Sequence, residues 1–387
     1  MNIKRAIQDN EAARAQPAIE FTTCNMAKII TVYEKRKWPF APVEMSYIRW
    51  LKISEALARL GHQVDIATNE PAGWGRSIRH PVSMASNLRR VPLSDVAWRD
   101  YDVVKTLFHR GFETLETYKA LDHPFIISKL GSVVGPVEIE GIYFSEEIRK
   151  KLYSLQQKIN RISKFVTLLS APAKDLWLSC FGRAENILLV PGAADSSIPE
   201  PQSDPYPKES FKRCIFAGNI YIRQAQKEAN RVLVEKLNLL GEMLIARKIR
   251  LYMIGTGYMN KLNREHVRYL GAVPYDCSWD FFRFADAGVV LAPGKFLHNN
   301  ESTKIYHCLR VGLPVISERG FPNESLISES GLGYIAENGN MAEMADLVEQ
   351  AIRKNDWDRN RAIRFILDRH TWDHRAAVYH RVIRNGC

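Results

Sequence analysis

The stretch Glu301-Ser-Thr-Lys304-Ile-Tyr-His307-Cys-Leu-Arg-Val-Gly312-Leu-Pro314-Val-Ile-Ser317 sets a lysine at the start of an amphipathic segment that a glycine and a proline then end. Ile305, Leu309 and Gly312 fall at helical spacing, Pro314 forbids continuation, and Val315-Ile316 open an apolar run. The pattern predicts a helix over 302–311 and a strand over 314–317. Upstream, Ala287-Gly-Val-Val-Leu-Ala-Pro293 reads as another buried strand, which makes the unit strand, polar loop, helix, strand. The loop and first helical turn, Asn299 to Lys304, then lie at the carboxyl end of a parallel strand. There the unpaired N–H groups and the helix dipole favour an anion, and Ser302, Thr303 and Lys304 are the residues placed to meet it. The chemistry suits a phosphate or a diphosphate.

Two similar halves are needed to position that unit. The first alternates candidate strands (27–33, 63–68, 88–92, 102–108, 124–129, 165–170 and 186–191) with helices near 46–60, 111–121, 143–163 and 172–182. Alternation of this kind predicts an α/β fold with a parallel, doubly wound sheet. Residues 192–212 carry Pro199, Pro201, Pro205 and Pro207 among Ser and Asp and read as a linker. A second strand–helix alternation follows from 213 to 353, and 357–386 reads as one or two helices around Trp372. The expected organisation is an N-terminal extension (1–25), a first Rossmann-like domain (26–195), a linker (196–212), a second Rossmann-like domain (213–356) and C-terminal helices (357–387).

The 387 residues leave room for two domains, and 46% hydrophobic with 25% charged residues is the composition of a soluble globular chain. No apolar run is long enough to span a bilayer, and the polar start of the chain lacks the apolar core of a secretion signal. Six cysteines (24, 180, 214, 277, 308 and 387) without paired spacing indicate neither zinc nor a disulfide framework, which fits a reducing cytoplasm. The net charge of +11 points toward an anionic substrate, an anionic membrane face or nucleic acid. Between 145 and 164, Arg149, Lys150, Lys151, Lys158, Arg161 and Lys164 alternate with Leu152, Leu155 and Ile159. This is a basic amphipathic helix that either lies against anionic lipid or is a solvated face packed on a sheet. No nucleic-acid motif accompanies the charge, so nucleic acid is an unexpected partner. The loop Lys35-Arg36-Lys37-Trp38-Pro39-Phe40 follows the first strand. It is either an exposed cap or a site for an anionic acceptor; the apolar surface of Trp38 and Phe40 beside three charges favours the acceptor reading. Lys129, at the end of the fifth strand, is placed to hold a phosphate or an acidic acceptor, and Glu138 and Glu140 follow in the same loop.

The string Lys304-Ile-Tyr-His-Cys-Leu-Arg-Val-Gly-Leu-Pro-Val resembles the donor-site helix of GT-B glycosyltransferases, in particular the large retaining group called family 4. Phe216-Ala-Gly218-Asn219-Ile-Tyr-Ile-Arg223 resembles the turn whose basic residues neutralise the donor diphosphate, with Asn219 and Arg223 at the matching positions. Leu251-Tyr-Met-Ile-Gly255-Thr-Gly257 resembles that family's strand end, where glycine lets backbone approach a ligand. His266-Val-Arg-Tyr-Leu-Gly271-Ala-Val273-Pro274-Tyr275 resembles the segment that reads the nucleobase edge. The family's acidic pair falls on Asn299 and His307, with Glu301 close by.

The resemblance implies two Rossmann-like domains facing a cleft and transfer of a sugar from a nucleotide-diphosphate donor, of UDP or GDP type, with retention. The acceptor would be a glycan or lipid-linked molecule, anionic in view of the charge, and the protein cytoplasmic or peripheral at the membrane inner face. No cofactor is expected, since helix N-termini and basic side chains hold the diphosphate in this fold. The implied donor set is Gly218, Asn219, Arg223, Gly255, Gly257, Ser302, Thr303, Lys304 and His307, with Val273 and Pro274 at the base. His109 and Glu301 are the catalytic candidates and Lys35, Arg36, Trp38 and Lys129 the acceptor candidates, with no metal ligands. The last helix would cross back onto the first domain. Two rivals remain: a non-hydrolysing sugar-nucleotide epimerase, for which no converging acidic and histidine set is visible, and a degenerate, non-catalytic GT-B chain, which the lost acidic pair favours.

Overall fold

The computed structural model describes residues 26–33, 45–68, 86–135, 146–220, 227–257, 259–292 and 300–386. Two all-parallel sheets organise them, seven strands in the first half and six in the second. The first sheet runs β3-β2-β1-β4-β5-β6-β7, with β1 (Lys28–Tyr33) flanked by β2 (Gln63–Thr68) and β4 (Val103–Leu107). β3 (Leu88–Pro92) forms one edge, and β5 (Ile126–Lys129), β6 (Phe165–Leu168) and β7 (Ile187–Leu189) complete the other side. Strand interiors such as Ile-Ile-Thr-Val in β1 are buried on both faces, as a parallel sheet covered by helices requires. The covering helices are α1 (Met45–Arg59), α2 (Phe108–Thr117), α3 (Glu146–Ile162) and α4 (Ala171–Phe181). α4 has the full complement of end signals: Ser170 caps the Ala173 N–H, Pro172 stands in the first turn, and Gly182 takes the left-handed conformation at the exit.

The second sheet runs β10-β9-β8-β11-β12-β13. Its strands are β8 (Lys212–Ala217), β9 (Ile249–Ile254), β10 (Val267–Tyr269), β11 (Ala287–Val290), β12 (Val315–Glu318) and β13 (Gly333–Ala336). α5 (Lys227–Ile245), α6 (Tyr275–Arg283), α7 (Thr303–Arg310), α8 (Ser325–Ser330) and α9 (Met341–Arg353) pack around it. In each sheet the strand order reverses at one point, between β1 and β4 and between β8 and β11. The crevice beyond the strand ends at such a reversal is where open α/β sheets bind ligands.

The tail forms two helices, α10 (Arg359–Arg369) and α11 (Trp372–Arg384). α11 packs across α1 of the first half: Arg59 bonds Asp373 at 2.5 Å, and His62 Nε2 meets His380 Nδ1 at 2.8 Å. The chain leaves the first half at Ala194 and returns at Thr371, and these two passages bridge each other in parallel. One apolar core therefore includes residues from β1, α1, α7 and α11 together.

The second helix starts earlier than the expected 111: β4 passes straight into α2 at Phe108, which adopts φ 59°. A bulky residue in that left-handed region is strained and replaces the loop that a wider turn would need. The basic helix α3 buries Leu155, Gln156 and Ile159 against the sheet, and part of its charge is neutralised, by Lys151–Glu113 and Lys158–Glu116 to α2. Among the described residues no helix is long and apolar enough to cross a membrane.

Candidate functional site

The reversal in the second sheet brings three glycine-bearing turns together. Gly255 and Gly257 have φ of +144° and +125°, and a Cβ on them would stand 1.9 Å from the Gly218 carbonyl oxygen and 1.5 Å from that of Ile220. Glycine is required there because the turns after β8 and β9 run in backbone contact, joined by Gly218 N to Ile254 O and Ile220 N to Thr256 O, both 2.9 Å. Asn219 Oδ1 accepts from the Thr256 N–H at 2.9 Å. Gly255 N donates to Gly271 O at 3.0 Å, and Tyr269 Oη to Gly255 O at 2.8 Å. These two bonds carry the segment after β10, with half-exposed Val273 and Pro274, up to the same strand ends.

Opposite these turns stands the start of α7. Its capping residue, Ser302, is held by a reciprocal pair with Asn323: Ser302 N donates to Asn323 Oδ1 at 3.0 Å, and Asn323 Nδ2 returns to Ser302 O at 2.9 Å. The Ser302 hydroxyl makes no cap bond and is buried without a partner. Lys304 lies in the first turn; its Cε is 3.5 Å from the position of a Cβ on Gly218, and its amine lies 6.0 Å from the Phe216 ring centroid. Among the described residues no carboxylate pairs with Lys304, and burial pulls its pKa below the usual lysine range. Gly218, Asn219, Gly255, Gly257, Ser302, Thr303 and Lys304 are thus gathered in one place. The arrangement offers an amine and the N–H groups of a helix start, which have no partner within the helix, to an anion above the strand ends.

His307 points elsewhere. Its ring lies 4.9 Å from Trp279, 5.7 Å from Tyr275 and 5.8 Å from Phe282 by centroid, in an aromatic box formed by α6. Nε2 is buried without a partner, and burial, aided by Lys304, lowers the pKa to about 3. Glu301 is a strut between the halves: its Oε2 accepts from Gly192 N at 2.5 Å and from Tyr306 Oη at 3.1 Å. Burial raises its pKa against those bonds and the fields of Arg49 and Arg375.

In the first half, His109 sits on the β4–α2 corner with its Nε2 buried and unpaired, and burial lowers its pKa to about 4. Gly111 lets the start of α2 approach β1, since a Cβ there would be 3.3 Å from Val32 O. Lys129 is fully buried; its amine donates to Leu130 O at 2.7 Å and lies 4.9 Å over the Phe108 ring. The next residues carry the contact across the cleft: a Cβ on Gly131 would touch Phe108 at 3.1 Å, and Asn300 Nδ2 donates to Ser132 Oγ. The corner bearing His109 and the residues leading into α7 therefore face each other. Lys35, Arg36, Trp38, Arg223, Asn299, Glu138 and Glu140 lie outside the described residues.

Sequence reasoning missed Arg49 of α1, Lys105 of β4 and Arg375 of α11, all buried near Lys129 and Glu301. One signal was present: a lysine inside the apolar run Val103-Val-Lys-Thr-Leu107.

No protein-family model matches the sequence, and no curated protein is detected as a relative. Solved structures do match over nearly the whole length. Sucrose-phosphate synthase from Thermosynechococcus elongatus superposes with a TM-score of 0.64 at 13% identity, over 93% of this chain and 98% of that one. Anabaena HepE, solved in complex with UDP and glucose, gives 0.64 at 11% identity over 93% and 100%. S. aureus TarM, solved as a point mutant with fondaparinux, α-GlcNAc-glycerol and UDP, gives 0.64 at 10% identity over 92% and 100%. The fold is that of GT-B glycosyltransferases, with two parallel α/β sheets.

Proposed function

We propose that the chain is a glycosyltransferase that moves a sugar from a UDP- or GDP-sugar to a glycan or lipid-linked acceptor, with retention at the anomeric carbon. The observation that carries this reading is Lys304: an amine without an acidic partner among the described residues, at a helix start, packed on the glycine turn of β8. When the bond between the anomeric carbon and the β-phosphate oxygen breaks, both electrons stay on the leaving diphosphate. Preorganised donors aimed at that oxygen lower the barrier, and here they are Lys304, the first-turn N–H groups of α7 and the Ser302 hydroxyl. Val273 and Pro274 form the wall for the base beyond Gly255 and Gly257. His109, neutral at pH 7, is a hydrogen-bond partner for the reacting sugar or the incoming hydroxyl. The solved structures of this fold that contain UDP, with HepE and with TarM, support a uridine donor.

A degenerate, non-catalytic chain is the second reading, favoured by the burial of His307 among aromatic rings where the related helix would offer a carboxylate to ribose. Release of UDP from UDP-glucose, or of GDP from a GDP-sugar, in the absence of acceptor separates the two. The enzyme turns over slowly by transfer to water, and this activity falls with Lys304→Ala. A chain that binds neither nucleotide and releases none is the degenerate form.

A further inference from the structure

On the face of the first sheet covered by α1 and α11, two lysines stand in otherwise apolar columns. They are Lys105 between Val103 and Leu107 on β4, and Lys129 beyond Phe125 and Ile127 on β5. Lys105 is 1% exposed and its amine has no hydrogen-bond partner; it lies over the Tyr379 ring of α11, 5.0 Å from the centroid. Arg49 of α1 is 7% exposed, with Nε buried and unpaired. The hydroxyls of Tyr379 and Thr167, the latter beside Lys129 in the sheet register, lie near one another without meeting hydrogen-bond geometry. Arg375 adds a fourth cation, but each of its three nitrogens is already engaged, with Gly192 O, Arg369 O and His370 Nδ1. Among the described residues, Glu301 is the one carboxylate whose field reaches both Arg49 and Lys129, and it is already committed to Gly192 and Tyr306.

Buried charge without a partner is costly, and buried ion clusters are kept where they are matched or used. Burial lowers the pKa of Lys129, and Arg49 and Lys105 lower it further, so the amines oppose each other as the site stands. A dianion with tetrahedrally disposed oxygens would reverse that: two amines reach it from neighbouring strands, a guanidinium from the layer above and two hydroxyls from the sides. A singly charged carboxylate would leave the cluster under-compensated. The cluster belongs to the first half, yet Lys129 leads through Gly131 and Ser132 to Asn300, beside the start of α7. An anion held here sits on the acceptor side of the candidate donor site. The three side chains are buried, so a ligand enters only when the elements covering them move.

We propose that Arg49, Lys105 and Lys129 form a binding pocket for a phosphate group carried by the acceptor, separate from the site that holds the donor diphosphate. This assignment rests on the glycosyltransferase reading and narrows its acceptor to phosphorylated molecules. The test uses the full chain in phosphate-free buffer at constant ionic strength, with inorganic phosphate as probe and thermal unfolding as readout, repeated with UDP at saturation. Phosphate at a hundredfold excess over Kd raises Tm by about 3 °C in the unmodified protein, and the rise persists on top of the UDP shift. Lys105→Met, which keeps the volume and removes the charge, folds, keeps its UDP shift and loses the phosphate shift; Arg49→Met behaves alike. No phosphate shift, an equal shift in Lys105→Met, or loss of the shift when UDP is present would overturn the pocket. The last outcome assigns the cluster to the donor diphosphate. A phosphate shift without any UDP shift supports the proposed pocket and counts against the donor site instead.

Discussion

Lys105→Met should stabilise the protein at neutral pH and cease to do so in alkali. Lys105 lies in the middle of β4, and burial alone lowers its pKa from 10.5 to about 8. That difference corresponds to roughly 3 kcal/mol of penalty for carrying the charge in the folded state. The sign follows from proton counting. Between pH 8 and 10.5 the unfolded chain holds a proton that the folded chain lacks, so stability rises with pH across that window and the penalty is fully present below it. Methionine fills similar volume without charge, but it forfeits the cation–π contact with Tyr379, worth about 1–2 kcal/mol when desolvated. A net gain of about 1–2 kcal/mol at pH 7 remains, or roughly 1–3 °C in Tm. Paired thermal scans of both proteins at pH 7 and pH 10.5 measure it: the variant leads at pH 7 and loses its lead at pH 10.5. A variant less stable than the parent at pH 7 by about 1 kcal/mol or more would show that the amine has a counter-charge and refute the argument.

Gly257→Ala forces a Cβ to within 1.5 Å of Ile220 O at φ +125°, so it should cost about 2–4 kcal/mol by denaturant unfolding and reduce nucleotide affinity about tenfold or more. Glu301→Ala strips the Gly192 N–H and Tyr306 hydroxyl of their acceptor and leaves Arg49 and Arg375 without their carboxylate. A loss of about 2–3 kcal/mol is expected, against a few tenths if the strut were idle. His62, buried against His380, has its pKa lowered to about 4, so the folded state resists a proton that the unfolded chain takes up near 6.5. His62 then contributes a loss of stability as pH falls from 6.5 toward 4, about 2 kcal/mol at pH 5, and His62→Gln should remove that share of the acid loss.

The parts of this molecule that were legible in its sequence are those that local chemistry dictates. The α7–β12 unit announced itself because Gly312 and Pro314 end a helix and Val315-Ile316 start a buried strand whatever surrounds them. Gly255 and Gly257 likewise mark a close backbone approach, although that the approached residues are Gly218 and Ile220 depends on sheet pairing. The start of α2 was misplaced because Phe108 in the left-handed region is a tertiary solution that no propensity foresees. His307 shows the limit of register. A motif places it on α7, but the face it occupies is set by the packing of α6, which encloses it with Trp279 and Phe282. The buried cationic cluster was out of reach for the same reason. A lysine in β4 becomes part of a cluster only when α1 brings Arg49 over it and α11, arriving from the far end of the chain, covers it with Tyr379.

In the proposed reaction Lys304 is the charge that meets the nucleotide diphosphate. Calorimetric titration of UDP and GDP into the parent protein and Lys304→Ala tests it most directly. One of the two nucleotides should bind the parent, and the variant should bind it roughly ten- to a hundredfold more weakly, the range for losing one charge-assisted hydrogen bond, with its fold intact. Equal affinity in both proteins would show that the nucleotide does not sit at the start of α7, and no binding of either nucleotide to the parent would contradict the glycosyltransferase reading itself.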